Sequence, residues 1–342
     1  MFKIEQPTLP IISLANTWEG NNVPMKFKLN TNSTPDWSKS KNVFNSFVVS
    51  SNSAYSLSVV ALGELPPAPL IKMSHGPNSF KTNSWQASKD SFFKTFASYP
   101  FAIPPSATIS AAAEIVAEGG IARGYEANVL KKESLEACHE LVLKELGPCD
   151  ILINGAGGNS PKATTDNEYA ELDDATKELK TFFDLDQSGV EFVFNLNFIG
   201  TLLPSQVFAA DMMGREGCSI LNIASMNAYT PLTKIPAYSG AKAAIKNFTQ
   251  WLAVHFSHVG IRVNAIAPGF FSTLQNEKLL WNPDGSPTAR TGKILAATPM
   301  GRFGVVDDLV GATLFLCSHE AASFVTGICV PIDGGFSSYS GV

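Results

Sequence analysis

Residues 149–157 have the sequence Cys149-Asp-Ile-Leu-Ile-Asn-Gly-Ala-Gly157, a short apolar run that leads directly into a turn rich in glycine. The three successive branched aliphatic residues predict a strand that is buried on both faces. The glycines after it permit close approach of a ligand to the backbone. Before this stretch, the helical spacing of apolar residues over Ser134–Leu146 and the breaker pair Gly147-Pro148 predict a helix that ends at the glycine.

The same alternation of helix and strand continues along the chain. Helices are predicted over Val190–Met213, Pro236–Phe256 and Val305–Ser318. Strands are predicted over Cys218–Ala224, Ile261–Ile266 and Gly327–Ile332. Strands that alternate with helices of this length form right-handed βαβ units around a parallel sheet. The predicted fold is therefore α/β with a Rossmann-like parallel sheet, and its ligands are expected outside the carboxyl ends of the strands.

Composition excludes several classes of protein. The 342 residues are 45% hydrophobic and 16% charged, which is typical of a packed globular chain with one large domain or a domain and an appendage. A net charge of −5 argues against a nucleic-acid partner, because phosphate binding requires a basic surface. No apolar run reaches the roughly 20 residues of a membrane span, and Met1–Pro10 lacks the pattern of an export signal. We expect a cytoplasmic protein with no membrane partner.

Neither the cysteines nor the histidines have the spacing of metal ligands. The five cysteines are far apart without a CxxC pair, and the five histidines form no HExxH. His255 and His258 are three residues apart, but no acidic residue or cysteine lies beside them. We therefore expect free thiols in a reducing compartment and no bound metal.

The clearest chemical pattern is Tyr238-Ser-Gly-Ala-Lys242, preceded by Ser225 at the end of a predicted strand. Residues four apart share one face of a helix, so the lysine ammonium can lie near the phenol oxygen. A free phenol has a pKa of about 10, and a nearby cation lowers that pKa toward the range of efficient proton transfer. Ser225 can hydrogen-bond the same substrate oxygen. Taken singly, Tyr238 also fits a half-buried aromatic and Ser225 a turn cap.

Six motifs in order over residues 111–342 resemble those of the short-chain dehydrogenase/reductase family. They are Asn154-Gly-Ala-Gly157, Asn197, Ser225 with Tyr238-Ser-Gly-Ala-Lys242, Arg262-Val-Asn-Ala-Ile-Ala-Pro-Gly269 with Thr273, Val325-Thr-Gly327, and Asp333-Gly-Gly335. The resemblance implies hydride transfer between NAD or NADP and a carbonyl or alcohol. It also implies a homodimer or homotetramer formed through the two long helices, and a small-molecule substrate as the other partner.

The resemblance also implies roles for single residues. Tyr238 exchanges a proton with the substrate oxygen. Lys242 lowers the pKa of that phenol and holds the nicotinamide ribose. Ser225 orients the substrate, and Asn197 anchors a water that connects Lys242 to solvent. The residues that it places at the cofactor are Asn128, Val129, Asn154, Gly155, Ala156, Gly157, Tyr238, Lys242, Pro268, Gly269 and Thr273.

The resemblance is closer to one branch of the family. The insert from Asn159 to Gly189 is longer than the family's usual loop. The runs Asn154–Thr165 and Phe182–Asp186 look like the branch of D-mannonate oxidoreductases, or fructuronate reductases, which interconvert fructuronate and mannonate. Lys162 or Asn159 can pair with a sugar-acid carboxylate, since ammonium and amide donors suit that anion. The alternative for Lys162 is an ordinary solvated lysine of a loop.

The first 110 residues differ from the rest. They contain nine lysines, no arginine and five acidic residues, a net +4, so residues 111–342 carry −9. Strands are possible over Phe44–Val49 and Tyr55–Leu62, but no fold can be assigned. The family's opening Thr-Gly-x-x-x-Gly-x-Gly turn, which holds the cofactor pyrophosphate, is absent from this segment. We therefore expect an atypical segment over 1–110, a family core over 111–342, and a sheet that lacks or alters its first β-α-β unit.

Three interpretations of this departure remain open. The segment is a scrambled or out-of-frame translation that damages cofactor binding, which we favour, or a divergent segment that rebuilds the nucleotide site. In the third, the chain is an impaired family member that acts as a non-enzymatic binding or assembly protein. The main hypothesis is an NAD(P)-dependent oxidoreductase acting on a sugar acid, D-fructuronate or D-mannonate, or a related polyol, with activity in doubt because the phosphate turn is missing.

Overall fold

The structure is a computed structural model that describes residues 47–50, 52–53, 56–62, 116–117, 121–272 and 280–341. All of them belong to one compact unit, Phe44–Val342. Thr273, one of the expected cofactor contacts, lies outside the described residues. The domain boundary near residue 110 stays a prediction.

Eight strands of the described residues form one sheet. They are β1 Phe47–Ser50, β2 Asn52–Ser53, β3 Ser56–Leu62, β4 Ala122–Ala127, β5 Ile151–Asn154, β6 Ser219–Ile223, β7 Arg262–Pro268 and β8 Cys329–Ile332. Strands β1, β5, β6, β7 and β8 run parallel in that order. Strand β3 lies antiparallel between β1 and β4, and β2 pairs with β3. The α/β, Rossmann-like prediction is confirmed.

The first β-α-β unit is altered rather than lacking. The strands expected over Phe44–Val49 and Tyr55–Leu62 are present as β1 and β3, and they occupy the two positions between β5 and β4. Register pairs Val49 with Ile153 in parallel, whereas Val60 faces Val49 in antiparallel orientation. One strand of an otherwise parallel sheet is thus reversed.

The four predicted helical segments are present with shifted ends, and two further short helices were not predicted. They are α1 Lys132–Leu146, α2 Gln187–Phe194, a π-helical turn Asn195–Ile199, α3 Gly200–Met212, α4 Pro236–His255, α5 Ala289–Ala296, α6 Asp307–Cys317 and α7 His319–Ala322. Helix α2 begins earlier than predicted because the Asp186 side chain accepts a hydrogen bond from the Ser188 N–H. Helix α1 ends at Gly147, whose φ is 86°.

Successive residues of each central strand face opposite helical layers. Leu152 of β5 packs in a core that includes Leu135 of α1 and Phe208 of α3. Ile151 and Ile153 lie in a second core on the other face, with helix α6. This pattern makes three layers, helices on both faces of the sheet, and it explains the unbroken apolar runs of the strands.

The continuous helical segment Gln187–Met212 is long and apolar enough, by length and composition alone, to cross a membrane. The sequence did not predict this, because polar residues interrupt the segment. Its most apolar window is 56% buried inside the fold, and Phe208 is wholly enclosed. Burial in the α-helical layer accounts for this composition.

All five cysteines are free thiols.

Candidate active site

The expected motifs meet at one edge of the sheet. Gly155 follows the end of β5, Ser225 follows the end of β6 by two residues, and Gly269 follows β7 directly. Because these three strands are parallel neighbours, their carboxyl ends open on the same crevice.

Tyr238 and Lys242 lie one turn apart in helix α4, which begins at Pro236. The lysine Nζ is 5.6 Å from the centroid of the tyrosine ring. Both side chains are buried, with 7% of Tyr238 and 1% of Lys242 exposed. The tyrosine and the lysine are thus enclosed together on one helix face and do not belong to a solvated surface.

Ser225 stands at the phenol. Its hydroxyl is hydrogen-bonded to Tyr238, and it also accepts the Asn227 N–H at 3.2 Å, which fixes the turn Met226–Ala228. The side chain is therefore both a turn cap and a partner of the tyrosine. The two interpretations of Ser225 drawn from sequence are compatible.

Burial sets the acidity of both groups. It raises the pKa of the Tyr238 phenol well above its ordinary value, while the hydrogen bond with Ser225 acts in the opposite direction. It lowers the pKa of Lys242 to about 7. In the protein alone the pKa of the phenol is thus raised and not lowered as expected, because loss of hydration on burial outweighs the hydrogen bond with Ser225. The lysine Nζ instead donates to the carbonyl oxygen of Ile223, 2.8 Å away.

Asn197 lies in the π-helical turn between α2 and α3, where the Gly200 N–H bonds a carbonyl five residues earlier. Its Nδ2 donates to the carbonyls of Val193, at 2.7 Å, and Gly158, at 2.8 Å. Its Oδ1 accepts the Gly158 N–H at 3.3 Å. The buried amide thus ties the helix to the glycine turn after β5.

Gly157 brings Asn197 and Lys242 together. A Cβ at this position would lie 2.7 Å from Asn197 Oδ1 and 3.0 Å from Lys242 Nζ. Only glycine allows the turn to approach both side chains. The four expected catalytic residues therefore form one cluster, with Tyr238 and Ser225 on its other side.

The other residues of the turn after β5 point mainly into the protein. Asn154 is fully buried, and its Nδ2 donates to Ser205 Oγ and Asn222 Oδ1, each at 2.9 Å. Ala156 packs with Val129 around Gly200, since both lie 3.4 Å from where a Gly200 Cβ would be.

The remaining expected cofactor residues also have structural roles. The Asn128 Oδ1 accepts the Leu130 N–H at 2.9 Å, and its N–H donates to Ser134 Oγ, which shapes the turn before α1. Pro268 ends β7, and the Gly269 N–H donates to Ile332 O at 2.9 Å. A Cβ on Gly269 would lie 2.6 Å from Asp333 Cα, so this position too requires glycine.

The expected substrate residues lie near the cluster but have partners. Lys162 Nζ forms an ion pair with Asp186 at 3.5 Å, and both side chains are substantially exposed. Asn159 is exposed and its Nδ2 donates to Thr164 Oγ1 at 3.1 Å. Their segment nevertheless reaches the site, because Ala163 is fully buried in one cluster with Tyr238.

Asn227 was missed at the level of sequence. It is 4% exposed, and its Oδ1 has no hydrogen-bond partner within the described part of the chain. An amide buried two residues after Ser225 with an unused polar atom is suited to a substrate hydroxyl. Its only sequence signal was a polar residue in the loop between β6 and α4.

A cavity of about 170 Å³ opens beside the ends of β7 and β8. Phe270, Met300, Ile332 and Asp333 are among its lining residues, whereas Tyr238 and Ser225 are not. The cavity therefore lies beside the turn after β7 and does not include the cluster of Ser225, Tyr238 and Lys242.

The residues present fit the nicotinamide end of a dinucleotide. Within the described residues Lys242 Nζ has Ile223 O as its hydrogen-bond acceptor, which leaves N–H groups for ribose hydroxyls. Gly157 keeps the space beside Lys242 free of side-chain atoms. The pyrophosphate end lacks the glycine-rich motif in the sequence.

Comparison with known proteins identifies the family of this chain. A family model of short-chain dehydrogenases, described as enoyl-(acyl carrier protein) reductase, matches residues 103–337. An uncharacterized oxidoreductase of Haemophilus influenzae is 61% identical over 231 residues, which are 68% of this chain and 81% of the relative. A 2-dehydro-3-deoxy-D-gluconate 5-dehydrogenase of Formosa agariphila is 33% identical over 226 residues, 66% of this chain and 77% of the relative.

A solved structure is also similar. It is that of a candidate D-mannonate oxidoreductase from Haemophilus influenzae with bound NAD, 56% identical, with a TM-score of 0.68. The match covers 74% of this chain and 92% of that chain. The motifs, the sheet and these matches lead to one conclusion: the chain is an oxidoreductase and belongs to the short-chain dehydrogenase/reductase family.

Proposed function

We propose that this chain is an NAD(P)-dependent enzyme that interconverts the carbonyl and the alcohol of a sugar acid, D-fructuronate and D-mannonate, or a related polyol. The observation that carries the proposal is the buried cluster of Ser225, Tyr238 and Lys242 at the carboxyl edge of the sheet. Two relatives, described as acting on sugar acids, support the substrate class. The relatives reported above give no support to a non-enzymatic role.

In carbonyl reduction, Tyr238 donates its phenol proton to the substrate oxygen. Burial keeps the phenol protonated at neutral pH, which suits an acid. The phenolate left behind is stabilised by the Ser225 hydroxyl and by Lys242, whose pKa of about 7 rises once a negative charge forms beside it. Ser225 also orients the substrate oxygen. In alcohol oxidation the same groups act in reverse.

NAD or NADP, when bound, supplies the hydride chemistry. Lys242 and Tyr238 would hold the nicotinamide ribose. Asn197 would anchor a water that returns protons from solvent to Lys242, since its buried amide already bridges the helix and Gly158. The other residues proposed to line the cofactor are Asn128, Val129, Asn154, Gly155, Ala156, Gly157, Pro268, Gly269 and Thr273.

The missing phosphate turn weakens cofactor binding in this proposal. Several backbone N–H bonds and the charge of a helix end are lost, each worth on the order of 1 kcal/mol. The enzyme is therefore expected to need higher cofactor concentrations than a relative that has the turn.

Recognition of the acid group is assigned to Lys162 or Asn159. Lys162 would exchange its exposed partner Asp186 for the substrate carboxylate. The exchange is inexpensive because exposed ion pairs contribute little. The segment is anchored at the site by the burial of Ala163 against Tyr238.

We further propose a cytoplasmic homodimer or homotetramer formed through the two long helices. Helix α4 exposes Trp251 and Val254, 57% and 75% accessible, and the end of α2 exposes Phe194 at 38%. Apolar side chains at this density on two adjacent helices suit contact with a second copy.

The test is a spectrophotometric assay of NADH and NADPH consumption with D-fructuronate, and of cofactor reduction with D-mannonate. A hexulose without a carboxylate is the matched control substrate. Turnover of the acids above that of the control supports the proposal. No turnover of either acid with either cofactor, by a folded protein, would refute it.

A further inference from the structure

We propose that a buried chain of four polar side chains positions the helix carrying Asn197 against the helix carrying Tyr238 and Lys242. The four, named here the polar chain, are Ser205, Asn154, Asn222 and Thr249. They are positioning residues and do not touch the reacting atoms. The inference rests on the proposed function, because its main readout is turnover.

The centre of the polar chain joins two strands. Asn154 and Asn222 are register partners, the last residue of β5 beside the fourth of β6. The Asn154 Nδ2 donates to Asn222 Oδ1 at 2.9 Å, and both side chains are fully buried. Aliphatic side chains would fill these positions without a desolvation cost. Their amides therefore specify an arrangement more than they add hydrophobic stability.

One arm runs along the Asn197 helix. The Asn154 Nδ2 also donates to Ser205 Oγ at 2.9 Å. Ser205 Oγ in turn donates to Thr201 O, and Thr201 Oγ1 donates to Asn197 O, each at 2.8 Å. Each step moves one turn along the helix, so the arm ends on the main chain of the π-helical turn.

The other arm enters helix α4. The Asn222 Nδ2 donates to Thr249 Oγ1 at 2.9 Å, and Thr249 Oγ1 donates to Ile245 O at 2.8 Å. Thr249 lies two turns beyond Lys242, on the same face of the helix. Asn222 also precedes Ile223, whose carbonyl accepts the bond from Lys242. The polar chain therefore connects the Asn197 helix with helix α4, which carries Tyr238 and Lys242. It also adjoins the Ile223 carbonyl, which accepts the hydrogen bond from Lys242.

The experiment compares Thr249→Val with Thr313→Val in the full-length protein. Both threonines are buried and bond the carbonyl four residues earlier, but Thr313 lies on α6 and does not contact the polar chain. Valine has nearly the same shape and replaces the hydroxyl with a methyl group, which cannot form these hydrogen bonds. Thr249→Val should lower kcat on the order of tenfold, as small displacements of reacting groups do, with the KM for the cofactor nearly unchanged. Thr313→Val should leave kcat unchanged.

The pH profile separates positioning from general destabilisation. When the Ile223 carbonyl shifts away from Lys242, the ammonium loses the acceptor that stabilises its charge. Less of the lysine is then protonated beside the phenolate, which is stabilised less. The rising limb of alcohol oxidation should then move to higher pH in Thr249→Val and not in Thr313→Val. Both variants should show similar falls in melting temperature.

A second variant keeps the proposal testable if Thr249→Val folds poorly. Ser205→Ala breaks the opposite arm, so it should lower kcat similarly, and the double variant should lose less than the two single losses combined. Equal kcat values for Thr249→Val and Thr313→Val, or strict additivity with an unmoved pH profile, would overturn the proposal. A wild type without turnover would instead count against the proposed function.

Discussion

Lys242 Nζ donates a hydrogen bond to the carbonyl oxygen of Ile223, 2.8 Å away, at the last residue of β6. Two residues further along, Ser225 is hydrogen-bonded to Tyr238. One strand end thus fixes both the cation and the hydroxyl that flank the phenol. The apolar sequence of β6 determines where this strand ends, and the end of the strand positions Ser225 and Lys242 beside Tyr238.

Lys242 should make stability depend on pH. Its pKa is about 7 in the folded protein and 10.5 as a model side chain, so the unfolded chain binds the extra proton between these values. The stability contributed by this residue therefore rises from pH 7 to about pH 10.5 and is lowest below pH 7, with a range on the order of 5 kcal/mol. Denaturant unfolding of wild type and Lys242→Met at pH 6, 7.5 and 9 measures it.

The difference between those two proteins isolates the lysine from other titrating groups. The variant should be the more stable at pH 6, where wild type buries a charge, and the gap should close as pH rises. Parallel curves for the two proteins would contradict the burial of Lys242.

Gly157→Ala should impair catalysis. The new Cβ would lie 2.7 Å from Asn197 Oδ1 and 3.0 Å from Lys242 Nζ, so one side chain must move. We expect kcat to fall on the order of a hundredfold, as a displacement near 1 Å can cause. Steady-state kinetics are the measurement.

Gly292→Ala is its control, because nothing lies within 4 Å of a Cβ there in helix α5. It should raise stability by about 0.5–1 kcal/mol and leave kcat unchanged. Full activity in Gly157→Ala would show that the turn does not approach the two side chains.

Lys162→Ala should affect binding of the acid more than chemistry. Loss of one ammonium that pairs with a carboxylate should raise the substrate KM about tenfold, with kcat little changed. Lys144→Ala, in the last turn of α1, is the matched control. If KM for the sugar acid is unmoved in Lys162→Ala and raised in Asn159→Ala, the carboxylate is bound by the asparagine.

Much of this was accessible from the sequence, for identifiable reasons. The strand before Asn154 and the helix after Pro236 follow from apolar runs and local start signals, which need no tertiary information. Strand β4 was not predicted, because its burial pattern is only partial and Arg123 and Glu126 interrupt it. The reversed strand β3 could not be foreseen, since pairing direction is decided by distant partners.

The cluster shows the same division. Spacing placed Lys242 one turn from Tyr238, and the structure agrees. The sequence predicted a lowered pKa for the Tyr238 phenol, whereas burial raises it, and burial depends on the complete fold. The π-helical turn that presents Asn197 has no local sequence pattern. The partner of Lys162, Asp186, is far along the chain and appears only after folding.

The proposed function depends on proton exchange between the Tyr238 phenol and the substrate oxygen. Its most direct test compares the turnover of Tyr238→Phe with that of a control variant, Tyr125→Phe. The Tyr125 hydroxyl donates a hydrogen bond to the exposed Glu145, away from the cluster. We expect a loss of about 10²–10⁴-fold in kcat for Tyr238→Phe, with cofactor fluorescence still responding to binding, and no loss for Tyr125→Phe. Equal turnover by the two variants would contradict it.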